Sequence, residues 1–219
     1  MTGKDAAAAR LFADVTRCTQ CDSSTFGRLL RDEGESIPQP GYVGKRYEQK
    51  RVLLVGQNPG RPNPSKPNLV ARDRAYTALL RKHAEAQSPE SFLALIAELE
   101  DFIPDWPVHG SYFPLEECGL HLDEIAYTNI VRCRTQGDAA PGQRLVANCS
   151  RSHLWPLVEL LEPVVVIFIG KWASDQFAQT LQSKGIPSAY MNRMRSLSTE
   201  EREENRRSVS ELVLRMTYE

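Results

Sequence analysis

PVVVIFIG, at residues 163–170, is the stretch of sequence that decides the fold class of this chain. Its six apolar residues are mostly β-branched and stand between a proline and a glycine, which predicts a buried strand that ends at a turn. Further strands are predicted at residues 51–55, 125–131 and 188–191. Helical periodicity fills the segments between them. This alternation of strands and helices predicts an α/β fold with a parallel sheet covered by helices on both faces.

The composition is that of an ordinary globular domain. Of the residues, 41% are apolar and 25% are charged. The length of 219 residues is enough for one full hydrophobic core and short for two domains. No apolar run approaches the length of a membrane span, and residues 1–12 lack a signal peptide's basic start and long apolar stretch. We therefore expect a cytoplasmic protein with no membrane partner. Neither a P-loop nor a G-x-G-x-x-G motif occurs, so no nucleotide cofactor is expected.

The charge pattern leaves nucleic-acid binding open. The net charge is −1, whereas a strongly basic balance would indicate nucleic acid directly. Arginines nevertheless cluster locally, at Arg132 with Arg134 and at Arg193 with Arg195. A neutral protein can carry a local basic groove, and solvated surface arginines would give the same clusters.

Four of the five cysteines form two unequal pairs. Cys18 and Cys21 are a C-x2-C near the N-terminus, whereas Cys133 and Cys149 come more than a hundred residues later, with fifteen residues between them. Four thiolates in one fold can hold an iron–sulfur cluster or a zinc ion, although structural zinc usually prefers two tight pairs. The remaining alternative is that the thiols are unconnected and pack as small apolar groups. We expect a metal centre, with a cluster favoured over zinc and a long loop at residues 22–50 around it.

Polar residues lie at the carboxyl ends of three of the predicted strands. They occupy residues 57–60, 129–134 and 192–193. In an open parallel sheet, ligands bind beyond the carboxyl ends of the strands. These three segments therefore predict an active site at one edge of the sheet.

Three phrases, VLLVGQNPG at 52–60, YTNIVRCR at 127–134 and PVVVIFIGKWA at 163–173, resemble the uracil-DNA glycosylase superfamily. The most similar branch is its iron–sulfur, family 4-like members, which share the early C-x2-C, the Asn-x3-Cys and the fifteen-residue gap to the last cysteine. The resemblance implies a three-layer αβα sandwich with a central four-stranded parallel sheet. It also implies one glycosylase-like domain over residues 1–219, with an added helical and loop segment at about 84–120.

The function that the resemblance implies is base excision repair, in which uracil or a related deaminated base is flipped out of DNA and its bond to the sugar is hydrolysed. By the same resemblance, Asn58 would position the attacking water, Asn129 would read the base edge, and Asn192 or Arg193 would assist the departing base. The other positions that match the family's base pocket are Gly56, Gln57, Pro59, Gly60 and Leu69. Those that match its DNA-contacting loop are Met194 and Arg195.

The partner that the resemblance implies is DNA, single- or double-stranded, bound by a monomer. The implied cofactor is a [4Fe–4S] cluster, with zinc as the alternative. The residues that match its ligands are Cys18, Cys21, Cys133 and Cys149.

The chain departs from the family pattern at two motifs. Iron–sulfur members usually have Glu-Ala where this chain has Gln57-Asn58, and His-Pro-Ser where residues 188–196 read SAYMNRMRS. An amide cannot accept a proton as a carboxylate does, and loss of one anion-stabilising donor commonly costs about a hundredfold in rate. The alternative is therefore a catalytically weak or inactive iron–sulfur module that binds DNA or flipped bases, and a third possibility is an electron-transfer protein. The residues alone also allow a plain turn at Asn58-Pro59-Gly60 and a structural role for Asn129.

Overall fold

The structure is a computed structural model of the chain, and it describes residues 3–21, 29–30, 36–100, 113–192 and 197–218. It divides into two compact units. The first unit is formed by residues 1–41, 58–102 and 129–160, and the second by residues 42–57, 103–128 and 161–219. The expectation of one glycosylase-like domain over residues 1–219, with an added segment at about 84–120, stays a prediction.

Helices and strands alternate along most of the chain. The α-helices of the described residues are α1 (Gly3–Thr16), α2 (Tyr47–Lys50), α3 (Pro67–Ala86), α4 (Pro89–Leu99), α5 (Gln143–Cys149), α6 (Trp155–Leu161), α7 (Lys171–Ser183) and α8 (Thr199–Tyr218). The strands of the same residues are β1 (Leu29–Leu30), β2 (Tyr42–Val43), β3 (Val52–Gly56), β4 (Ile125–Asn129), β5 (Arg134–Thr135), β6 (Val165–Ile169) and β7 (Ser188–Met191). Short helical turns lie at Leu122–Glu124, Gln136–Asp138 and Ser150–Leu154. Within these ranges, no helix is long and apolar enough to cross a bilayer.

A mostly parallel sheet forms the centre of the second unit. Its strand order is β2-β4-β3-β6-β7, with β3 parallel to β6 and β6 parallel to β7. Every residue of β3 and β6 is buried, which explains why both sequences are continuous apolar runs instead of alternating ones. The mixed α/β class and the four predicted strands are confirmed.

The sheet differs from the prediction at one edge. The strand β2 pairs antiparallel with β4, with Tyr42 opposite Tyr127, so the sheet has five strands within the described residues instead of four. The sequence predicts a loop throughout residues 22–50. That prediction is wrong at β1, β2 and α2, which all lie in this range. A strand of two residues is too short to show a periodic pattern of apolar residues. Its pairing is determined by the neighbouring strand, so its own sequence does not reveal it.

Helices α7 and α8 pack against β6 and β7. Helix α7 begins directly after Gly170, whose φ of 101° is a value that residues with a side chain rarely adopt. On one face α7 buries Ala173, Phe177 and Leu181, which are four residues apart. A capping box precedes α8, because Ser198 N–H donates to Glu201 Oε2 and Glu201 N–H donates to Ser198 Oγ.

In the first unit, α1, α3 and α4 pack on one another. Phe12 of α1 and Phe92 of α4 meet edge to face, with ring centroids 5.1 Å apart. His83 of α3 contacts both other helices, since its Nε2 hydrogen-bonds to Ala9 O at 3.0 Å and its Nδ1 to Ser91 Oγ at 2.9 Å. Burial lowers the pKa of His83, so the neutral ring is favoured in this core.

Candidate functional site

Asn58 lies in the loop that follows β3, and its side chain is anchored. Its Nδ2 donates to Thr135 Oγ1 at 3.1 Å and to Pro59 O at 3.5 Å. Thr135 is the last residue of β5 and is 2% exposed, and its Oγ1 donates to Ala139 O at 2.7 Å. The asparagine is therefore more than part of a turn, because its amide is tied to a second segment of the chain.

An ion pair fixes the backbone of the same loop. Arg134, which is 4% exposed, donates from Nε to Gly60 O at 2.9 Å and from Nη1 to Asp73 Oδ2 at 2.9 Å. Its Nη2 contacts the other carboxylate oxygen of Asp73. A guanidinium joined to a carboxylate through two nitrogens is a geometrically specific contact. One side chain of β5 thus holds the loop after β3 against α3.

A cavity of about 250 Å³ opens beside this ion pair. Its described lining includes Arg61, Arg74 and Arg134 together with Asp73. Three guanidinium groups and one carboxylate give this lining a positive charge, which suits an anionic ligand.

The other residues predicted to form a base pocket lie at the end of β3, in the loop after it, or at the start of α3. Gly56 is the buried last residue of β3, and Gln57 after it is half-buried. Pro59 is buried and Gly60 is exposed, while Leu69 lies half-buried in the first turn of α3. Their contact with a base stays a prediction.

The two remaining candidate amides stand at strand ends, as the sequence predicts. Asn129 is the last residue of β4 and is 4% exposed. Asn192 directly follows β7, and its backbone N–H donates to Asn205 Oδ1 at 2.9 Å. Asn205 of α8 also donates from Nδ2 to Tyr190 O at 2.9 Å, so α8 fixes the end of β7. The predicted site residues that lie outside the described residues are Arg193, Met194 and Arg195.

The four candidate ligand cysteines are all described, all belong to the first unit, and none of them forms a disulfide. Cys21, Cys133 and Cys149 are 5–6% exposed. Burial raises the pKa of the Cys149 thiol to about 11; Arg132 opposes this rise, and the thiols of Cys21 and Cys18 add to it. The N-terminal pair is therefore close enough to Cys149 to interact with it electrostatically.

Two N–H groups donate to these sulfurs. The backbone N–H of Arg132 donates to Cys149 Sγ at 3.3 Å, and Asn148 Nδ2 donates to Cys21 Sγ at 3.0 Å. Hydrogen bonds to sulfur favour the thiolate and are among the features that tune iron–sulfur sites. Cys133 directly follows Arg132, so the first of these bonds also brings the chain at Cys133 next to Cys149.

The metal that these cysteines could hold is open between a cluster and a single zinc ion. Within the described residues, no three His, Cys, Asp or Glu side chains have the spacing that a single metal ion requires. Zinc with sulfur ligands at about 2.3 Å draws those sulfurs to within about 4 Å of one another, whereas a cubane cluster fills the space between its thiolates and holds them further apart. This finding does not distinguish between the two groups, so the [4Fe–4S] cluster and its zinc alternative both stay predictions.

Arg132, the residue before Cys133, joins two other segments of the first unit through hydrogen bonds. It is 1% exposed and donates from Nη1 to Pro40 O at 2.9 Å and from Nη2 to His153 O at 3.3 Å. Its carbonyl accepts the N–H of Gln39 at 2.9 Å. Arg132 and Arg134 are both buried, so their interpretation as solvated surface residues is wrong, whereas Arg134 does line the positively charged cavity.

Sequence reasoning missed three residues that each fix the surroundings of one candidate residue within its own unit. Thr135 could have been suspected, because it is the next residue after the TNIVRCR motif. Asp73 gives no local signal, since its partner Arg134 is 61 residues away in sequence. Asn205 gives none either, because it lies within a charged helix that the sequence indicates only as a solvated surface.

Comparison with known proteins identifies the family. A family model described as the uracil DNA glycosylase superfamily matches residues 44–212. A search of curated proteins finds no significant match. The match covers well over half of the chain and includes β3, β4 and β6, with Asn129 at the end of β4 and the loop that carries Asn58. The chain therefore belongs to the uracil DNA glycosylase superfamily.

Proposed function

We propose that this protein is a monofunctional DNA glycosylase that hydrolyses the N-glycosidic bond of uracil or a related deaminated base in DNA. Membership of the superfamily supports glycosylase activity as a class. The observation that carries the proposal for this chain is the anchored amide of Asn58, directly beyond the end of β3. A second amide, Asn129, stands at the end of β4, the strand next to β3 in the sheet.

The reaction exchanges the bond between sugar carbon C1′ and the base nitrogen for a bond between C1′ and a water oxygen. The electron pair of the broken bond leaves with the base, so positive charge develops on the sugar and negative charge on the base. Asn58 Oδ1 would accept a hydrogen of the water and hold its oxygen towards C1′. An amide cannot take the proton as a carboxylate does, so the proton of the attacking water would pass to bulk water. The rate would then depend on how well Asn58 places that water against C1′.

The other amides would act on the base. The carbonyl of Asn129 can accept the uracil N3–H while its NH2 donates to O4, a pairing that distinguishes uracil from cytosine. Asn192 or Arg193 would donate to O2 as negative charge develops there. Leu69, with Gly56, Gln57, Pro59 and Gly60, would enclose the base, and Met194 and Arg195 would contact the duplex.

The four cysteines of the first unit would hold a [4Fe–4S] cluster, and the protein would then belong to the iron–sulfur branch of its superfamily. The N–H groups that donate to Cys149 and Cys21 support a thiolate role for both. When bound, the cluster would supply a structural link between the segment after α1 and the segment from residue 133 to 149.

The test is an excision assay on the intact protein with single- and double-stranded oligonucleotides that contain uracil, hypoxanthine, xanthine or a thymine mismatch. Alkali then breaks the strand wherever a base has been removed. We expect breakage at uracil that falls by about a hundredfold or more in Asn58→Ala. Asn63→Ala is the matched control, because Asn63 is exposed in the same loop and its Oδ1 accepts the N–H of Ser65. Breakage of none of these substrates by the wild-type protein would contradict the proposal.

A second candidate function is an iron–sulfur module that binds DNA or flipped bases without cutting. The lack of a histidine in residues 188–196 favours it, because a donor to the departing base is then weaker or missing. It predicts tight binding in fluorescence anisotropy to a uracil-containing oligonucleotide that stays intact in alkali.

A further inference from the structure

We propose that Thr135 is a positioning residue of the active site, whose hydroxyl decides which end of the Asn58 amide faces the water. The inference rests on the proposed function. It is carried by one chain of hydrogen bonds, from Asn58 Nδ2 to Thr135 Oγ1 and from Thr135 Oγ1 to Ala139 O.

The direction of these hydrogen bonds follows from their last member. A backbone carbonyl only accepts, so the single hydroxyl hydrogen of Thr135 goes to Ala139 O, at 2.7 Å. The hydroxyl oxygen can then only accept from Asn58, which requires the NH2 end of the amide to face it. Pro59 O, 3.5 Å from the same nitrogen, is also an acceptor. Both neighbours therefore exclude the flipped amide, in which two oxygens would face each other.

This orientation leaves Oδ1 as the end of the amide that is directed away from Thr135. An oxygen there accepts a hydrogen from the water and leaves the lone pair of the water directed at C1′. A flipped amide would instead donate its NH2 to that lone pair and occupy the electrons that must form the new bond. The flip state of Asn58 therefore decides whether the water is a nucleophile.

Contacts on both sides of Thr135 restrain the backbone that carries its hydroxyl. The preceding residue, Arg134, donates to Gly60 O, two residues beyond Asn58, so both sides of the contact are tied together. On the other side, the turn at Gln136–Asp138 returns the chain so that Ala139 O meets Thr135 Oγ1. That turn uses a φ of 64° at Gly137, a left-handed value that suits glycine.

The test compares Thr135→Ser, Thr135→Ala and Thr135→Val in the uracil-excision assay, with kcat and KM measured separately. Serine and alanine differ only by the hydroxyl, and valine keeps the shape of threonine without it. We expect Thr135→Ser to stay within about threefold of wild-type kcat. Thr135→Ala and Thr135→Val should each lose about tenfold, because one ordinary hydrogen bond changes the ratio of the two Asn58 flip states by about that factor. KM should change less than about twofold, because DNA binding does not use this hydroxyl.

Thr77→Val is the matched control, because Thr77 is also 2% exposed and lies in α3 of the same unit. It should leave kcat unchanged, even if it costs as much thermal stability as Thr135→Val. If Thr135→Val does not fold, the ratio of Thr135→Ser to Thr135→Ala decides the question. Equal kcat for serine and alanine, with a wild-type protein that depends on Asn58, would overturn this inference alone. A wild-type protein that excises no base would overturn the proposed function and this inference with it.

Discussion

Replacing Asp73 with asparagine removes the carboxylate that faces the buried guanidinium of Arg134. In the wild-type contact two N–H donors meet two carboxylate oxygens, and the side chains of Arg134 and Asp73 are 4% and 18% exposed. Breaking a fully buried pair costs about 3–5 kcal/mol, whereas an exposed pair contributes about 0.2–1 kcal/mol. Because Asp73 keeps some contact with water and the asparagine oxygen can still accept one N–H, we expect Asp73→Asn to lower the free energy of unfolding by about 2 kcal/mol.

Thermal unfolding followed by circular dichroism measures this loss. In a chain of this size about 1 kcal/mol corresponds to about 2–4 °C in Tm, so Asp73→Asn should lower Tm by about 4–8 °C. The matched control is Asp175→Asn. Asp175 accepts from Lys171 Nζ at 2.6 Å, but the two side chains are 54% and 63% exposed, so the control should shift Tm by about 2 °C or less.

The excision assay adds a functional measurement to the same pair of variants. Gly60 O is held by Arg134, so loosening the guanidinium should also loosen the loop that carries Asn58 and lower kcat in Asp73→Asn but not in Asp175→Asn. Equal Tm shifts in the two variants would refute the argument that burial gives the Arg134–Asp73 pair its strength. An unchanged kcat in a destabilised Asp73→Asn would refute the role of the pair in holding the loop that carries Asn58.

Three further predictions concern the metal centre, DNA binding and pH. Cys149→Ala should lose bound iron and absorbance near 400 nm, while Cys118→Ala, which changes a buried thiol of the second unit, should keep both; iron retained by Cys149→Ala would contradict the ligand assignment. Arg61→Gln should weaken DNA binding equally for all sequences and reduce the salt slope by about one, and an unchanged slope would exclude a phosphate contact. Burial lowers the pKa of His83 in the folded protein, so as pH falls its imidazole binds a proton more readily in the unfolded chain than in the folded one. The free energy of unfolding should therefore fall as pH drops below about 6.5. Urea titrations should show a smaller fall in His83→Gln, and an equal fall in the two proteins would contradict this.

The sheet was predictable because burial on both faces leaves a direct mark on the sequence. Residues 163–170 and 51–55 are continuous apolar runs bounded by turn residues, and both form strands that are buried at every position. The strands β1, β2 and β5 leave no such mark, because each is two residues long and exists through pairing with a distant partner. Leu29 opposite Thr135 illustrates this, since no local pattern relates residues so far apart in sequence.

The candidate site was predictable only as far as its motifs reach. The positions of Asn58, Asn129 and Asn192 at strand ends followed from the order of elements, and the structure places all three there. The orientation of an amide depends instead on tertiary contacts, which sequence spacing does not encode. The motif next to Thr135 could draw attention to that residue, but only the contact with Asn58 Nδ2 gives it a role.

Cys133, Arg134 and Thr135 are consecutive, yet each has a different attachment. Cys133 belongs to the candidate cluster site, Arg134 holds Gly60 and Asp73, and Thr135 holds the amide of Asn58. Neighbouring residues of an extended segment direct their side chains to opposite sides, so one short stretch can serve several partners at once. On the proposed function, an enzyme without a carboxylate base would depend for its rate on how it places the attacking water, and this stretch would set that placement. On the proposed function, a cluster bound at Cys133 would therefore contribute to catalysis through geometry, since it would fix the residue from which both Arg134 and Thr135 reach the active-site loop.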